Sequence, residues 1–122
     1  MSASGDLFTA SVTQRDGIVV LTIGGAIDFA SESTFEAVVA NAVAKNVAGL
    51  IIDLAGVTFM ASAGLRVLIL AQEQAACFAI AALPPAMTRQ IQLVGLEKIL
   101  RLCPTVEDAV AALRKSLDSQ GI

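Results

Sequence analysis

The sequence predicts an α/β fold with a mixed β-sheet. Branched aliphatic runs of strand length alternate with segments in which apolar residues recur at helical spacing. Before this alternation begins, two strand-like runs are separated by only a short turn, which joins antiparallel strands, whereas parallel strands need longer helical crossovers. We therefore expect four or five strands and about four helices in one domain, residues 1–122, with a core from about residue 8 to residue 117.

The N-terminal part is expected to form a β-hairpin. Phe8 to Val12 alternates loosely between apolar and polar residues, as a half-buried strand does. Arg15-Asp16-Gly17 is typical of a turn, and Ile18 to Ile23 is a second aliphatic run that ends at Gly24-Gly25. The two runs therefore predict antiparallel strands, followed by a short connecting segment, residues 26–30.

A first helix is predicted after this connection. Ser33 and Glu36 have the spacing of a capping box, and Ser31 is an alternative cap. The helix is expected to end near Lys45. Its apolar face consists of Phe35, Val38, Val39, Ala42 and Val43.

The most informative stretch, residues 50–70, predicts a buried strand, a turn and a buried helix. Leu50 to Leu54 has the length and composition of a strand, and helical spacing begins at Ala63. Ser62 lies between them and is expected to be the N-cap of the helix or one residue from it. There its hydroxyl faces backbone N–H groups and the positive end of the helix dipole, which together can hold a phosphate. Its small neighbours leave the hydroxyl open to another molecule.

The alternation continues toward the C-terminus. The helix after the serine is expected to extend to about Gln74, and Cys77 to Leu83 is a predicted fourth strand. Pro84-Pro85 ends that strand, and a shorter helix covers about Ala86 to Val94.

The last part of the chain is expected to hold a short turn or strand and a final helix. Residues 96–102 form the short element, and Thr105 caps the helix that follows Pro104. The apolar stripe of this helix comprises Val106, Ala109, Val110, Leu113 and Leu117.

Composition and charge exclude several classes of partner. The formal net charge is −3 and the basic residues are scattered, which argues against a nucleic-acid surface. No apolar run reaches the about 20 residues of a membrane span, and the N-terminus does not resemble a secretory signal, so we expect a cytoplasmic protein without membrane insertion. Cys77 and Cys103 lack the spacing of metal ligands and are expected to be buried thiols. No cofactor or metal is implied.

The absence of histidine excludes further kinds of enzyme. A Ser-His-Asp or Cys-His arrangement cannot form, nor can a metal site with histidine ligands. The segment around Ser62 matches only the second half of a nucleophile elbow, because Met60 stands at the place of the first glycine. We therefore expect that the chain is not an enzyme, and that Ser62 is a substrate for phosphoryl transfer by another protein.

Three charged residues lie near predicted strand ends or near the serine. Asp28 follows the second strand, and its spacing alone favours a solvated loop acid, which contributes little to folding, or an early helix cap. Asp53 lies in an apolar strand and is expected to accept hydrogen bonds from backbone N–H groups of the following turn, because a lone buried carboxylate is costly. Arg66 lies one turn beyond Ser62, where it either extends to solvent or marks the edge of a partner surface.

In their order and spacing, four segments resemble the STAS-domain anti-sigma factor antagonists. The resemblance covers the chain from about Phe8 to Leu117 and implies a single STAS domain. The segments are Gly25-Ala26-Ile27-Asp28-Phe29-Ala30-Ser31, Leu50-Ile51-Ile52-Asp53-Leu54, Met60-Ala61-Ser62-Ala63-Gly64-Leu65, and Gly95-Leu96 before the capped last helix.

The resemblance also implies a switch. In that family, an anti-sigma factor that is also a serine kinase phosphorylates a serine at the start of the second helix. The unphosphorylated antagonist binds the anti-sigma factor and releases a sigma factor. Carried over, the phosphoacceptor is Ser62, and Asp28 helps to form the partner surface. The other residues expected at that surface are Phe29, Ser31, Met60, Ala61, Ala63, Gly64, Leu65 and Arg66.

One position departs from the family motif. An aspartate usually precedes the serine, and this chain has Ala61 there. A kinase that recognises the aspartate would discriminate against this protein, so partner binding and regulation by phosphate are separate expectations. STAS domains also occur as subunits of lipid-transport complexes and as transporter tails, so docking on a transporter ATPase in lipid or anion transport is the alternative function. The resemblance is also compatible with a weak homodimer.

Overall fold

An antiparallel hairpin opens the fold. The computed structural model describes residues 7–45 and 48–120. Strands β1 (Thr9–Arg15) and β2 (Ile18–Ile27) are antiparallel. Arg15 pairs with Ile18 next to the turn, and Thr9 pairs with Gly24 at the far end. The turn consists of Asp16 and Gly17, with φ of 57° and 83°. Positive φ at both central residues is what a tight hairpin turn requires. Because the turn needs only two residues, β1 continues to Arg15, beyond the predicted end at Val12.

The sheet has five strands among the described residues, in the order β1-β2-β3-β4-β5. The pair β1–β2 is antiparallel, and every other neighbouring pair is parallel. This arrangement confirms the predicted mixed sheet. The remaining strands are β3 (Gly49–Met60), β4 (Phe78–Ala81) and β5 (Leu102–Cys103), and the helices are α1 (Glu32–Ala44), α2 (Ser62–Gln74), α3 (Pro85–Leu93) and α4 (Val106–Gln120), with a 3₁₀ turn at Leu96–Lys98.

The strands β2 and β3 extend well beyond their predicted ends. The turn predicted after Leu54 is wrong, because residues 55–60 continue β3 and pair with the end of β2. Register shifts occur between Thr22 and Gly24 and again after Gly25. Glycines inside a strand often mark such irregularities, and a Cβ on Gly56 would lie 3.4 Å from the Cα of Gly24. The glycines that suggested strand ends therefore let the two strands stay together.

Two apolar clusters hold the helices against the sheet. The larger lies on one face and includes β-strand residues such as Leu21 and Ile52, with Phe35 of α1 and Leu68 of α2. The smaller lies on the other face under α4. Its members are Ile18, Val20, Ile51, Cys77, Ala79, Ala81, Ala109, Val110 and Leu113, with Cys103, Val106 and Leu117 partly buried against it. The predicted apolar stripe of the last helix is confirmed.

Beyond α2, the predicted elements occur, and the strand β4 is shorter than predicted. β4 ends at Ala81, because Ala82 has a φ of 56° and leaves the extended conformation. Gly95, with a φ of 78°, separates α3 from the 3₁₀ turn. The thiol of Cys77 is buried as expected, whereas Cys103 is only half-buried, and burial raises the pKa of its thiol.

The helices of the described residues are too short or too polar to cross a membrane. Within the same residues, no group of three or more histidine, cysteine or acidic side chains is arranged to hold a metal ion.

The packing of α4 yields a stability prediction. Leu113 is fully buried against the sheet, so Leu113→Ala is expected to lower the free energy of unfolding by about 2–5 kcal/mol. Its neighbour Arg114 forms an exposed ion pair with Asp16 at 3.0 Å, so Arg114→Ala is expected to cost no more than about 0.5 kcal/mol. Urea unfolding followed by circular dichroism measures both. Equal losses for the two variants would contradict the placement of α4.

Candidate functional site

The ends of β2 and β3 bring the predicted site residues together. Ile27 pairs with Met60, and the N–H of Ala61 donates a hydrogen bond to the carbonyl of Ile27 at 2.8 Å. The chain therefore leaves the two strands side by side, toward Asp28 on one and Ser62 on the other. We call this region, residues 26–31 and 59–66, the carboxyl edge. Sites of α/β proteins commonly lie at this edge of the sheet.

Ser62 is the first residue of α2, one position after the N-cap. The N-cap is Ala61, with φ −73° and ψ 164°, and no side chain caps the first turn. The N–H groups at the start of a helix have no partner inside the helix and carry the positive end of its dipole. The hydroxyl of Ser62 is exposed beside them. This is the second of the two predicted placements, and it leaves the serine accessible to another protein.

Gly64 allows α2 to begin this close to the sheet. A Cβ at Gly64 would lie 2.6 Å from Cγ of Met60 and 3.2 Å from Cγ2 of Ile27. Any larger residue would therefore push the first turn of α2 away from the ends of β2 and β3. Since Ser62 is two residues earlier in the same turn, Gly64 sets the position of its hydroxyl.

The connection from β2 to α1 is held by the hydroxyl of Ser31. Ser31 is the N-cap of α1, so the capping box predicted at Ser33 is wrong and the alternative is correct. The Ser31 Oγ donates to the carbonyl of Ala26 at 2.7 Å and accepts from the N–H of Asp28 at 3.0 Å. A buried hydroxyl with these two partners ties the start of the helix back to the strand.

Asp28 is a cap of this connection and not a freely solvated acid. Its Oδ1 accepts hydrogen bonds from the N–H groups of Ala30 at 3.0 Å and Ser31 at 3.2 Å. The residue is half-buried, and these hydrogen bonds favour the predicted alternative of an early helix cap, while the Ser31 N–H also donates to the Asp28 carbonyl at 3.1 Å. Within the described residues, Oδ2 has no hydrogen bond and is available to a partner.

The residues predicted to form the partner surface differ in exposure. Phe29 is 88% exposed, and Ser62 and Arg66 are also exposed. Four of these residues are half-buried, namely Asp28, Ala61, Ala63 and Leu65. The others lie beneath the surface and support it instead of facing outward. They are Ser31, Met60 and Gly64.

Sequence reasoning missed two apolar residues at this edge. Phe59 is 53% exposed and Leu7 is 74% exposed, and both line an open cleft of about 610 Å³. The alternation of a strand carries the signal for Phe59, because Met60 points into the core and its neighbour must point the other way. The prediction of a turn after Leu54 hides this signal, because alternation applies only if residues 55–60 continue the strand. The cleft is also lined by Phe8, Ala26, Asp28, Ala30, Ser31 and Thr34.

Asp53 lies outside the carboxyl edge. It is half-buried in β3, where it pairs with Thr22 and Ala81, and its Oδ1 accepts from the N–H of Ala55 at 3.0 Å. The predicted hydrogen bond to following backbone is confirmed, although it lies inside the strand and not in a turn.

The role of Asp28 yields a second stability prediction. Asp28→Ala is expected to lower the free energy of unfolding by about 1 kcal/mol, because the Ala30 N–H loses its acceptor and the Ser31 N–H keeps only the carbonyl of residue 28. Asp28→Asn keeps an acceptor oxygen and is expected to lose less than about half as much. Urea unfolding of both variants provides the measurement. An unfolding free energy of Asp28→Ala within about 0.5 kcal/mol of wild type would show that the cap is unimportant.

Comparisons of sequence and structure show which known proteins this chain is similar to. The sequence model of the STAS domain matches residues 9–109. The anti-sigma-F factor antagonist RsfB of Mycobacterium tuberculosis is 37% identical over 112 residues, which cover 89% of this chain and 92% of RsfB. A solved anti-sigma factor antagonist from Mycobacterium paratuberculosis is 36% identical and superimposes with a TM-score of 0.85, covering 93% of this chain and 99% of the other.

A solved structure of lower sequence identity has the same fold. Unphosphorylated SpoIIAA, an anti-sigma factor antagonist, has 20% identity and a TM-score of 0.71, covering 89% of this chain and 97% of its own. At that identity the likeness concerns the fold alone. The closer matches cover nearly the whole chain and include the carboxyl edge. The chain belongs to the STAS-domain family and, within it, to the anti-sigma factor antagonists.

Proposed function

We propose that this chain binds an anti-sigma factor of the serine-kinase type through the carboxyl edge and thereby releases a sigma factor. The observation that carries the proposal is the exposed Ser62 hydroxyl at the first, uncapped turn of α2. The similarity to RsfB, which is named as an antagonist of an anti-sigma-F factor, supports the choice of partner. The proposed acting unit is the single domain of residues 1–122, working in the cytoplasm.

Phosphorylation of Ser62 is the proposed off-signal. The kinase transfers the γ-phosphoryl group of ATP to Oγ, ADP leaves, and the hydroxyl proton passes to a base of the kinase. The phosphate adds a charge of about −1.5 to −2 to a chain whose net charge is −3. The N–H groups and dipole of α2 stabilise this charge locally, so the fold is retained. Binding is lost because the phosphate must be desolvated and fills space that the partner occupies.

The proposed role of Ser62 is that of a phosphoacceptor and not of a catalytic nucleophile. The sequence contains no histidine that could act as its general base. Asp28 engages its Oδ1 in backbone hydrogen bonds and serves the β2–α1 connection. The chain is therefore proposed to act by binding, and its chemistry is supplied by the kinase.

The contact with the anti-sigma factor is proposed to be mainly apolar. Phe29 and Phe59 are exposed at the carboxyl edge, and Leu7 lines the same cleft as Phe59. Exposed aromatic side chains are typical anchors of protein interfaces, and charged groups usually lie at the rim. Here Asp28 and Arg66 would supply that rim.

The switch is tested with variants of Ser62. Each serine-kinase-type anti-sigma factor of the source organism is purified and titrated calorimetrically with wild type, Ser62→Ala and Ser62→Glu. One partner is expected to bind wild type and Ser62→Ala alike, and to bind Ser62→Glu at least about tenfold more weakly. With ATP, mass spectrometry is expected to place one phosphate on Ser62 of wild type and none on Ser62→Ala.

Two outcomes would contradict different parts of this proposal. Absence of binding by every such anti-sigma factor would overturn the choice of partner. Binding of Ser62→Glu as tight as that of wild type, with both folded, would overturn phosphate as the off-signal. The phosphorylation rate of an Ala61→Asp variant tests the departure from the family motif. Faster phosphorylation of this variant than of wild type would show that the kinase recognises the residue before the serine.

The apolar contact is tested by removing Phe59. Phe59→Ser is expected to weaken binding of the same anti-sigma factor by about tenfold or more, because an interface anchor is lost. Val12→Ser is the matched control, since Val12 is also 53% exposed but lies in the middle of β1, away from the carboxyl edge. Calorimetry measures both affinities, and equal effects of the two substitutions would exclude Phe59 from the interface.

A further inference from the structure

Ser62 and Arg66 occupy one face of α2. They are four residues apart, a spacing that places two side chains next to each other on a helix surface, and both are exposed. A helical side chain leans toward the N-terminus of its helix, so the guanidinium of Arg66 can reach the turn that begins at Ser62. The two groups are therefore neighbours on the outer surface of the first turns.

Arg66 has no anionic partner among the residues that the structure describes. Among the described residues it takes part in no ion pair or hydrogen bond, whereas Arg15, Arg101 and Arg114 each have a partner. It is also the only basic residue in the segments 26–36 and 55–68, which form and flank the carboxyl edge. The acidic residues of these segments are Asp28, Glu32 and Glu36. An added anion at this edge would thus have Arg66 as its one local countercharge within those segments.

We propose that Arg66 clamps a phosphate carried by Ser62. The inference rests on the proposed phosphorylation of that serine and adds the device that holds the product. An anion followed four residues later by a cation is the favourable order on a helix, and an anion in the first turn also matches the positive end of the helix dipole. A guanidinium can donate two parallel hydrogen bonds to phosphate oxygens, and N–H groups at the start of the helix can stabilise the same phosphate.

The clamp gives the phosphate a second effect on the surface. In the unmodified protein, Arg66 forms no ion pair within residues 7–45 and 48–120 and can face the anti-sigma factor. In the phosphorylated protein, its guanidinium is drawn into a pair within α2. One phosphoryl group therefore adds a desolvation cost at Ser62 and withdraws the single cation of the edge from the partner.

The test measures the phosphate directly and needs neither the kinase nor the anti-sigma factor. Phosphoserine is incorporated at position 62 during translation, and the second ionisation of the phosphate is followed by ³¹P NMR as a function of pH. A nearby cation favours the dianion, so the pKa of the phosphate is expected to be lower in wild type than in Arg66→Gln by about 0.3 unit or more. Arg66→Lys is expected to restore part of the shift.

A matched control separates a local pair from a general charge effect. Arg114→Gln removes the same charge from α4, on the other face of the sheet, and is expected to leave the pKa of the phosphate at its wild-type value. In high salt the difference between wild type and Arg66→Gln is expected to shrink. The ¹⁵N shift of Arg66 Nε is expected to change on phosphorylation, and that of Arg114 Nε to stay constant.

Equal pKa values of the phosphate in wild type and Arg66→Gln would overturn the clamp, as would an equal shift in Arg114→Gln. Equal melting temperatures of the unphosphorylated wild type and Arg66→Gln proteins establish that the fold is unaffected. Because the phosphate is installed directly, a failure of the clamp is distinct from a failure of the proposed function. The latter is decided by the binding of anti-sigma factors to the Ser62 variants.

Discussion

The carboxyl edge depends on the parallel pairing of β2 and β3 out to their last residues. The Ile27–Met60 pair and the hydrogen bond from the Ala61 N–H to the Ile27 carbonyl bring two segments together that are more than thirty residues apart in sequence. Everything proposed for Ser62 follows from this contact. If β3 ended at Leu54, the start of α2 would have no fixed relation to the loop that follows β2.

The small residues at this edge permit that arrangement. Gly64 lets the first turn of α2 pack on Ile27 and Met60, and Ala61 leaves that turn without a side-chain cap. An uncapped first turn is normally a small loss of stability. Here it leaves backbone donors beside an exposed hydroxyl, which is what a modifiable serine requires. On the opposite side, Ser31 and Asp28 hold the β2–α1 connection through buried and half-buried hydrogen bonds. The β2–α1 side of the edge is thus held by hydrogen bonds, whereas Ser62 at the start of α2 is exposed.

Local features of the sequence were predicted well. Thr105 caps α4, as its Oγ1 accepts from the N–H of Asp108 at 3.0 Å, and the stripe of that helix faces the smaller core. Ser62 lies within one residue of its expected place. Capping and periodicity involve residues only a few positions apart, so their energies can be inferred from the sequence. The choice between Ser31 and Ser33 as the N-cap could not be inferred in this way, because it depends on the hydrogen bond from the Ser31 hydroxyl to the Ala26 carbonyl.

By itself, the sequence determined the alternation of strands and helices, the apolar faces, the serine between strand and helix, and the absence of histidine chemistry. Only the tertiary structure decided that residues 55–60 continue β3, that Phe59 points outward, and that Asp28 is a cap. The first two properties depend on β2, which pairs with residues 55–60, whereas the Asp28 hydrogen bonds are local, from the N–H groups of Ala30 and Ser31. Gly56 continues the strand because Gly24 lies opposite, and Phe59 is exposed because its neighbour Met60 occupies the core. Gly24 is distant from Gly56 in sequence, and no local pattern reports that pairing.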